Sequence, residues 1–335
     1  MKTLARLVAA SALIAAFGCG QPAASSGSAP VVRLSIATGG TGGVYYVYGG
    51  ALARLISENV PGTEATAEVT SASIDNLKFL RDGKADIGFT LADTLSDAAQ
   101  GRGAFEGRPV PLRALAVLYT NVTHVVTKKG SGIEKLADLQ GKVVSMGSAG
   151  SGTETIADRT LEAAGLDPSK DIRRENLSAQ ASADALKDGK IDAFFWSGGL
   201  PTAAVLDLAT STPIRMIETA GVLPSLQEKY GAALYRPLTV APGTYPQLDI
   251  ETRTFGVSNV LVVPASFDES RAYLIVKTMF EKQAALVAAH AEAKNLSLEN
   301  AVNGSPVEFH AGALRYYAEK GVKPAASVTP SAAAR

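Results

Sequence analysis

Short runs of apolar, β-branched residues alternate along the chain with runs whose apolar positions recur every three or four residues. Residues 31–37 read as a buried strand, and residues 45–60 as a helix with Leu52, Leu55 and Ile56 on one face before Pro61-Gly62 stops it. A second helix is predicted over 73–80, with Ile74, Leu77 and Leu80 aligned. Strands are predicted at 85–89, 112–119, 124–127, 142–146 and 191–196, and a further helix over 153–164 that Gly165 ends. Strands alternating with helices predict an α/β fold on largely parallel sheets.

The pattern repeats once. Arg81-Asp82-Gly83-Lys84-Ala85-Asp86-Ile87-Gly88-Phe89 returns in outline as Lys187-Asp188-Gly189-Lys190-Ile191-Asp192-Ala193-Phe194-Phe195. Each copy follows a helix-like segment opened by serine-rich sequence, at 71–73 and at 178–182. Upstream of each, a strand runs into a glycine loop: Gly39-Gly40-Thr41-Gly42-Gly43 in the first, Gly147-Ser148-Ala149-Gly150-Ser151-Gly152 in the second. An Asp-Gly-Lys turn alone is common, whereas the same four-part order at nearly equal separation is not. Two α/β lobes of similar plan are expected, with glycine loop, hydroxyl-rich helix start and strand end together on the carboxyl edge where open sheets take ligands.

Candidate binding chemistry sits in those loops. Thr41, Gly42 and Gly43, with Tyr46 beyond them, offer close backbone approach and the free N–H groups of a helix start, which favour an anion. Ser148, Gly150, Ser151, Gly152, Thr153 and Glu154 make the second loop. Thr70, Ser71, Ser73 and Asn76 form a hydroxyl and amide cluster, and Thr90, Asp93, Trp196, Ser197 and Gly198 stand at strand ends. Ser73, Ser151 and Thr153 suit plain helix caps equally well, and Trp196, the single tryptophan, suits either a cleft lip or the core. No lysine or arginine occurs in these loops, so an anion is expected on helix ends, hydroxyls and amides. Asp93 and Glu154 are expected to meet a ligand ammonium group or a bound cation. Catalysis is not expected: there is no nucleophile elbow, no zinc-protease motif and no nucleotide P-loop, while Asp86 and Asp192 read as solvated turn residues and His124 and His310 as structural.

Composition narrows the partners. Lys+Arg number 32 and Asp+Glu 32 in 335 residues, which argues against a nucleic-acid face and leaves a small molecule. One cysteine and three histidines cannot make a zinc finger or a disulfide framework. Lys2 and Arg6 precede an uncharged run to Gly18, so residues 1–18 read as a secretory signal. Ala16-Phe17-Gly18-Cys19 resembles the lipobox of bacterial lipoproteins, which implies lipid on Cys19 and anchorage in the cell envelope; ordinary cleavage is the alternative. Residues 19–30 are expected to be a tether and 322–335 a flexible tail.

Four segments in combination resemble the TAXI family of solute-binding proteins that feed TRAP transporters. They are Ile36-Ala37-Thr38-Gly39-Gly40-Thr41-Gly42-Gly43-Val44-Tyr45-Tyr46, residues 73–89, residues 147–154, and Phe309-His310-Ala311-Gly312-Ala313-Leu314-Arg315-Tyr316-Tyr317. The resemblance implies a two-lobed type II periplasmic-binding-protein fold with the ligand cleft between lobes. Lobe one would be 31–120 plus 255–321 and lobe two 121–254, with crossings near 119–122 and 254–260. It implies a monomer that closes on a small organic acid, glutamate-like or a related carboxylate, and docks on a TRAP permease in the membrane, and it associates calcium with some members. A lipid-anchored lobe pair reporting to a membrane sensor kinase is the alternative.

Overall fold

The computed structural model describes residues 31–325, so the expected signal, Cys19, the tether and most of the tail lie outside the described residues. Strand β1 (Val32–Ala37) turns through the first glycine loop into α1 (Val44–Asn59), and β2 (Thr63–Glu68), α2 (Ser73–Arg81), β3 (Ile87–Leu91) and α3 (Ala92–Gln100) complete the first half. The second half holds β4 (Leu112–Lys128), β5 (Val143–Ser145), α4 (Gly152–Ala163), β6 (Arg173–Glu175), α5 (Ala179–Lys187) and β7 (Ala193–Gly198). After it come α6 (Ala203–Ser211), β8 (Ile214–Met216), α7 (Leu223–Tyr230), β9 (Arg236–Val240) and β10 (Thr252–Pro264). Helices α8 (Glu269–Glu281) and α9 (Gln283–Ala289) pack back on α1, while α10 (Leu298–Ala301) packs on β4 and α11 (Ala311–Glu319) on α8 and β4.

The strands form a mixed sheet in the order β2-β1-β3-β10-β4-β7-β5-β6, with β8 on β4 and β9 on β10. Pairing is parallel within β1–β3 and within β5–β7, and antiparallel where β10 and β4 join the two sets. The α/β class expected from the alternation is the one observed.

The strands expected at 112–119 and 124–127 are one strand of 17 residues. The polar stretch Thr120-Asn121-Val122-Thr123 stays extended because it is paired on both sides: Asn121 with Val257 of β10, Thr123 with Ser197 of β7. Backbone bonds to two neighbours outweigh local propensity. Strand β10 runs antiparallel beside it, with a register shift between Ser258 and Val260. The two segments where the sequence expects the chain to cross, near 119–122 and near 254–260, therefore lie side by side.

The internal repeat has a structural counterpart. Asp86 Oδ2 accepts the N–H of Ser35 at 2.8 Å, and Asp192 Oδ2 accepts the N–H of Val143 at 2.8 Å. Each carboxylate clamps the strand that leads to its own glycine loop, so neither is merely a solvated turn residue.

Candidate functional site

Two strands end differently from expectation. Strand β3 passes into α3 with no intervening loop, so Thr90 is a strand residue and Asp93 lies in a helix; Trp196, Ser197 and Gly198 belong to β7 itself. Both ends, the two glycine loops and the starts of α2 and α5 enclose one cavity of about 230 Å³ between the halves of the molecule.

Four helices begin at this cavity. Gly43-Val44 of α1, Ala72-Ser73 of α2, Ser151-Gly152 of α4 and Ser178-Ala179 of α5 all line it. Helix starts carry partial positive charge, so their convergence favours an anion, although at α2 the N–H groups of Ile74 and Asp75 already donate to the Gly150 carbonyl. Ser151 caps α4 by accepting the N–H of Glu154, and Ser178 caps α5 by accepting that of Ala181. Helix α1 has no side-chain cap. No Asp, Glu, Lys, Arg or His is among the described residues that line the cavity.

Ser197 supplies an unspent group. Its N–H donates to Thr153 Oγ1 at 3.2 Å, while its hydroxyl, on a residue only 6% exposed, has no hydrogen-bond partner. Beneath it runs a chain of amides. The Tyr45 hydroxyl donates to Asn259 Oδ1, Asn259 Nδ2 donates to Asn121 Oδ1 at 2.9 Å, and Asn121 Nδ2 donates to the Ser197 carbonyl at 3.0 Å. These bonds tie α1, β10, β4 and β7 into one floor.

Trp196 spans the two halves. Its ring lies against Gly43, where a β-carbon would stand 3.5 Å from the indole, and its Nε1 donates to Thr202 Oγ1 at 2.9 Å. The Thr202 N–H donates to the Tyr245 hydroxyl at 3.0 Å, and that hydroxyl donates to His124 Nε2 at 2.8 Å. His124 Nδ1 donates to the Val122 carbonyl at 2.9 Å, a tautomer fixed by an acceptor that has no proton to give. Burial pushes His124 down to about 4, so it is neutral at pH 7 and structural, as the sequence suggests.

Of the predicted site residues, Thr41, Gly42, Gly43, Ser71, Ser73, Ser148, Ser151, Gly152, Thr153, Trp196, Ser197 and Gly198 line the cavity. Seven do not. Tyr46 is exposed on the outer face of α1, since one residue turns a helix by about 100° and Tyr45 takes the inner face. Thr70 and Asn76 bond each other at 2.6 Å, and Asn76 Nδ2 also donates to the carbonyls of Thr38 and Phe89. Thr90 is buried in β3 and bonds the Leu91 carbonyl. The carbonyl of Gly150 accepts from α2, and its N–H donates to Glu154 Oε2 at 2.8 Å.

Glu154 is held by Arg174 at 2.6 Å and Asn176 at 2.9 Å, and Asp93 is fully buried against Arg159 and Tyr235. Neither carboxylate is available to a ligand ammonium group. Among the described residues no group of three or more His, Cys, Asp and Glu side chains stands close enough to hold a metal ion.

Ser73 and Thr153, equally read as caps, are not caps. Ser73 Oγ accepts the N–H of Leu91 at 3.1 Å, and Thr153 serves Ser197. Tyr45, Tyr119 and Asn121 also line the cavity, unforeseen. Tyr45 was legible in part, because it stands two helical turns before Leu52 on the apolar stripe of α1.

Among solved structures, a protein of Bordetella bronchiseptica RB50 is 19% identical over 86% of this chain and 89% of that one, with a TM-score of 0.52. That likeness is one of fold. The alkanesulfonate-binding protein SsuA of Xanthomonas axonopodis pv. citri, bound to MOPS, is 19% identical over 91% and 89%, with a TM-score of 0.48. The periplasmic aliphatic sulphonate-binding protein SsuA of Escherichia coli is 15% identical over 86% and 83%, with a TM-score of 0.45. A family model matches residues 36–321, a span that takes in both glycine loops, β2 through β10 and α11; the chain belongs to the NMT1-like family.

Proposed function

We propose that this chain is an extracytoplasmic solute-binding receptor, not an enzyme, held at the envelope by lipid on Cys19. Its two halves act as lobes hinged where β4 and β10 run side by side, and the cavity between them closes on a small organic anion. The observation that carries this reading is the convergence of four helix starts on a cavity with no charged side chain. A start with free N–H groups contributes about 0.3–1 kcal/mol toward an anion, more where water is excluded, and α2, capped by Gly150, contributes less.

The ligand class follows from the same inventory. One carboxylate or sulfonate satisfies the helix ends and Ser197, while Tyr45, Leu91 and Trp196 suit an apolar stem. An ammonium group would be buried without a counter-charge, at a cost of several kcal/mol. The ligand is therefore a monoanion lacking an ammonium, a related carboxylate in preference to glutamate itself. Delivery is to a TRAP-type permease, as the resemblance of the loop and α11 motifs to the TAXI family implies.

Calorimetry on matched pairs tests the binding reading: 2-oxo acids of monocarboxylic chains against their amino acids, and monocarboxylates and monosulfonates each against dicarboxylates, all with calcium and with chelator. The monoanion of each pair is expected to bind at least about tenfold more tightly, with calcium indifferent. Tighter binding of the amino acids, or a strict calcium requirement, would overturn it. Native mass spectrometry of freshly purified protein identifies the carried molecule directly.

A further inference from the structure

Away from the cavity the two halves meet a second time, and that contact is charged. Arg159 of α4 reaches α3, where its Nη1 lies 3.3 Å from Asp93 Oδ2 and its Nη2 bonds Asp97 Oδ2. The Tyr235 hydroxyl accepts from Arg159 Nη1 at 2.8 Å and donates to Asp93 Oδ2 at 2.9 Å. The ring of Tyr230 covers the guanidinium at 3.9 Å. Arg102 faces Asp97 from the other side at 3.5 Å, so two cations balance two carboxylates. Asp93 and Tyr235 are fully buried, Asp97 and Arg159 nearly so.

Such a cluster adds little stability but fixes position strictly. Removing charges from water costs about what their attraction returns, whereas a charge left buried without its partner is heavily penalised. In register, both carboxylates, the Arg159 guanidinium and the Tyr235 hydroxyl are paired, and only Arg102 Nε stays without a partner; with the halves apart, each regains water. Arrangements that separate the partners without hydrating them are disfavoured, which makes the contact two-state. Its ends are joined to the cavity walls. Asp93 follows Leu91 by two residues, and Arg159 lies about two turns along α4 from the cavity-lining start at Ser151-Gly152.

We propose that Arg159, with Asp93, Asp97 and Tyr235, is a positioning cluster that sets the separation of the cavity walls without touching the ligand, an inference that rests on the hinged reading above. Trp196, the only tryptophan, reports on it because its ring bridges to Gly43 across the cavity. In the full-length protein without ligand, Arg159→Met leaves two carboxylates facing a single remaining cation, Arg102. Its Trp196 emission is expected to move to the red, and acrylamide quenching to rise roughly twofold or more, with a larger radius of gyration and unchanged far-ultraviolet circular dichroism. The triple variant Asp93→Asn/Asp97→Asn/Arg159→Met carries neither the pairing nor its buried carboxylates and is expected to return toward wild-type values.

Gly152→Val serves as a control for opening, because a β-carbon there stands 2.6 Å from Leu91 Cδ1 in the other half. If Gly152→Val shifts Trp196 and Arg159→Met does not, the hinge stands and the cluster has no positioning role. If neither shifts, the hinge reading fails and the cluster with it. A triple variant as open as Arg159→Met also overturns the proposal. Should Arg159→Met fail to fold, Tyr235→Phe decides: a smaller shift in the same direction supports the cluster, and none overturns it.

Discussion

The carbonyl oxygen of Gly150 accepts the backbone N–H of Ile74 at 3.1 Å, so a glycine loop from one half of the sheet caps a helix in the other. The same oxygen takes the N–H of Asp75 at 3.2 Å. Helix α2 has no side-chain cap of its own, and its cap residue Ala72 is held at a φ of 87°, so the far loop supplies what the local sequence lacks.

Gly150→Ala is expected to break that cap. Gly150 has a φ of +80°, and a β-carbon there would stand 2.6 Å from Asp75 Oδ1. Strain of about 1–2 kcal/mol should fall on the state in which the halves touch. Trp196 fluorescence should move to the red as in Gly152→Val; an unchanged spectrum would show that the contact does not hold the halves together.

Ser197→Ala should separate stability from binding. Removing a buried hydroxyl that has no partner is expected to raise the stability of the empty protein by roughly 1 kcal/mol, because nothing is lost but a desolvation cost. Ligand affinity should fall about five- to a hundredfold, since the hydroxyl is then missing where the anion sits. Urea unfolding and calorimetry read the two effects, and a fall in both would refute the assignment.

Asn76→Ala should be costly without touching a ligand. Asn76 joins Thr70, Thr38 and Phe89 while wholly buried. Leaving those partners unsatisfied costs roughly 2–4 kcal/mol. A urea midpoint within error of the wild type would contradict this.

Acid should weaken the fold through His124. Its imidazole titrates at about 4 in the folded protein against 6.5 ordinarily, so the unfolded chain takes the proton first. Stability from this group is complete above about pH 6.5, declines as pH falls toward 4 and levels off below, for a total near 3 kcal/mol. Urea titrations across that range should show the decline in wild type and a flatter curve in His124→Gln.

The sequence carried the local terms: the α/β alternation, the starts of α1, α2 and α4 within a residue, and a repeat whose Asp86 and Asp192 do the same clamping in each half. It also pointed to both glycine loops, because glycine and hydroxyl residues bear their chemistry in the backbone and in short side chains. What it could not supply is the direction and pairing of side chains. Asp93 and Glu154 looked like free carboxylates because their partners Arg159 and Arg174 are separated from them in the sequence, and only folding brings those cations within bonding distance. Tyr45 and Tyr46 are neighbours in sequence, and the helix sends one inward and the other to solvent. The cap on α2 comes from another strand's loop. These outcomes depend on distance in space, which an amino-acid sequence specifies only through the whole packed chain.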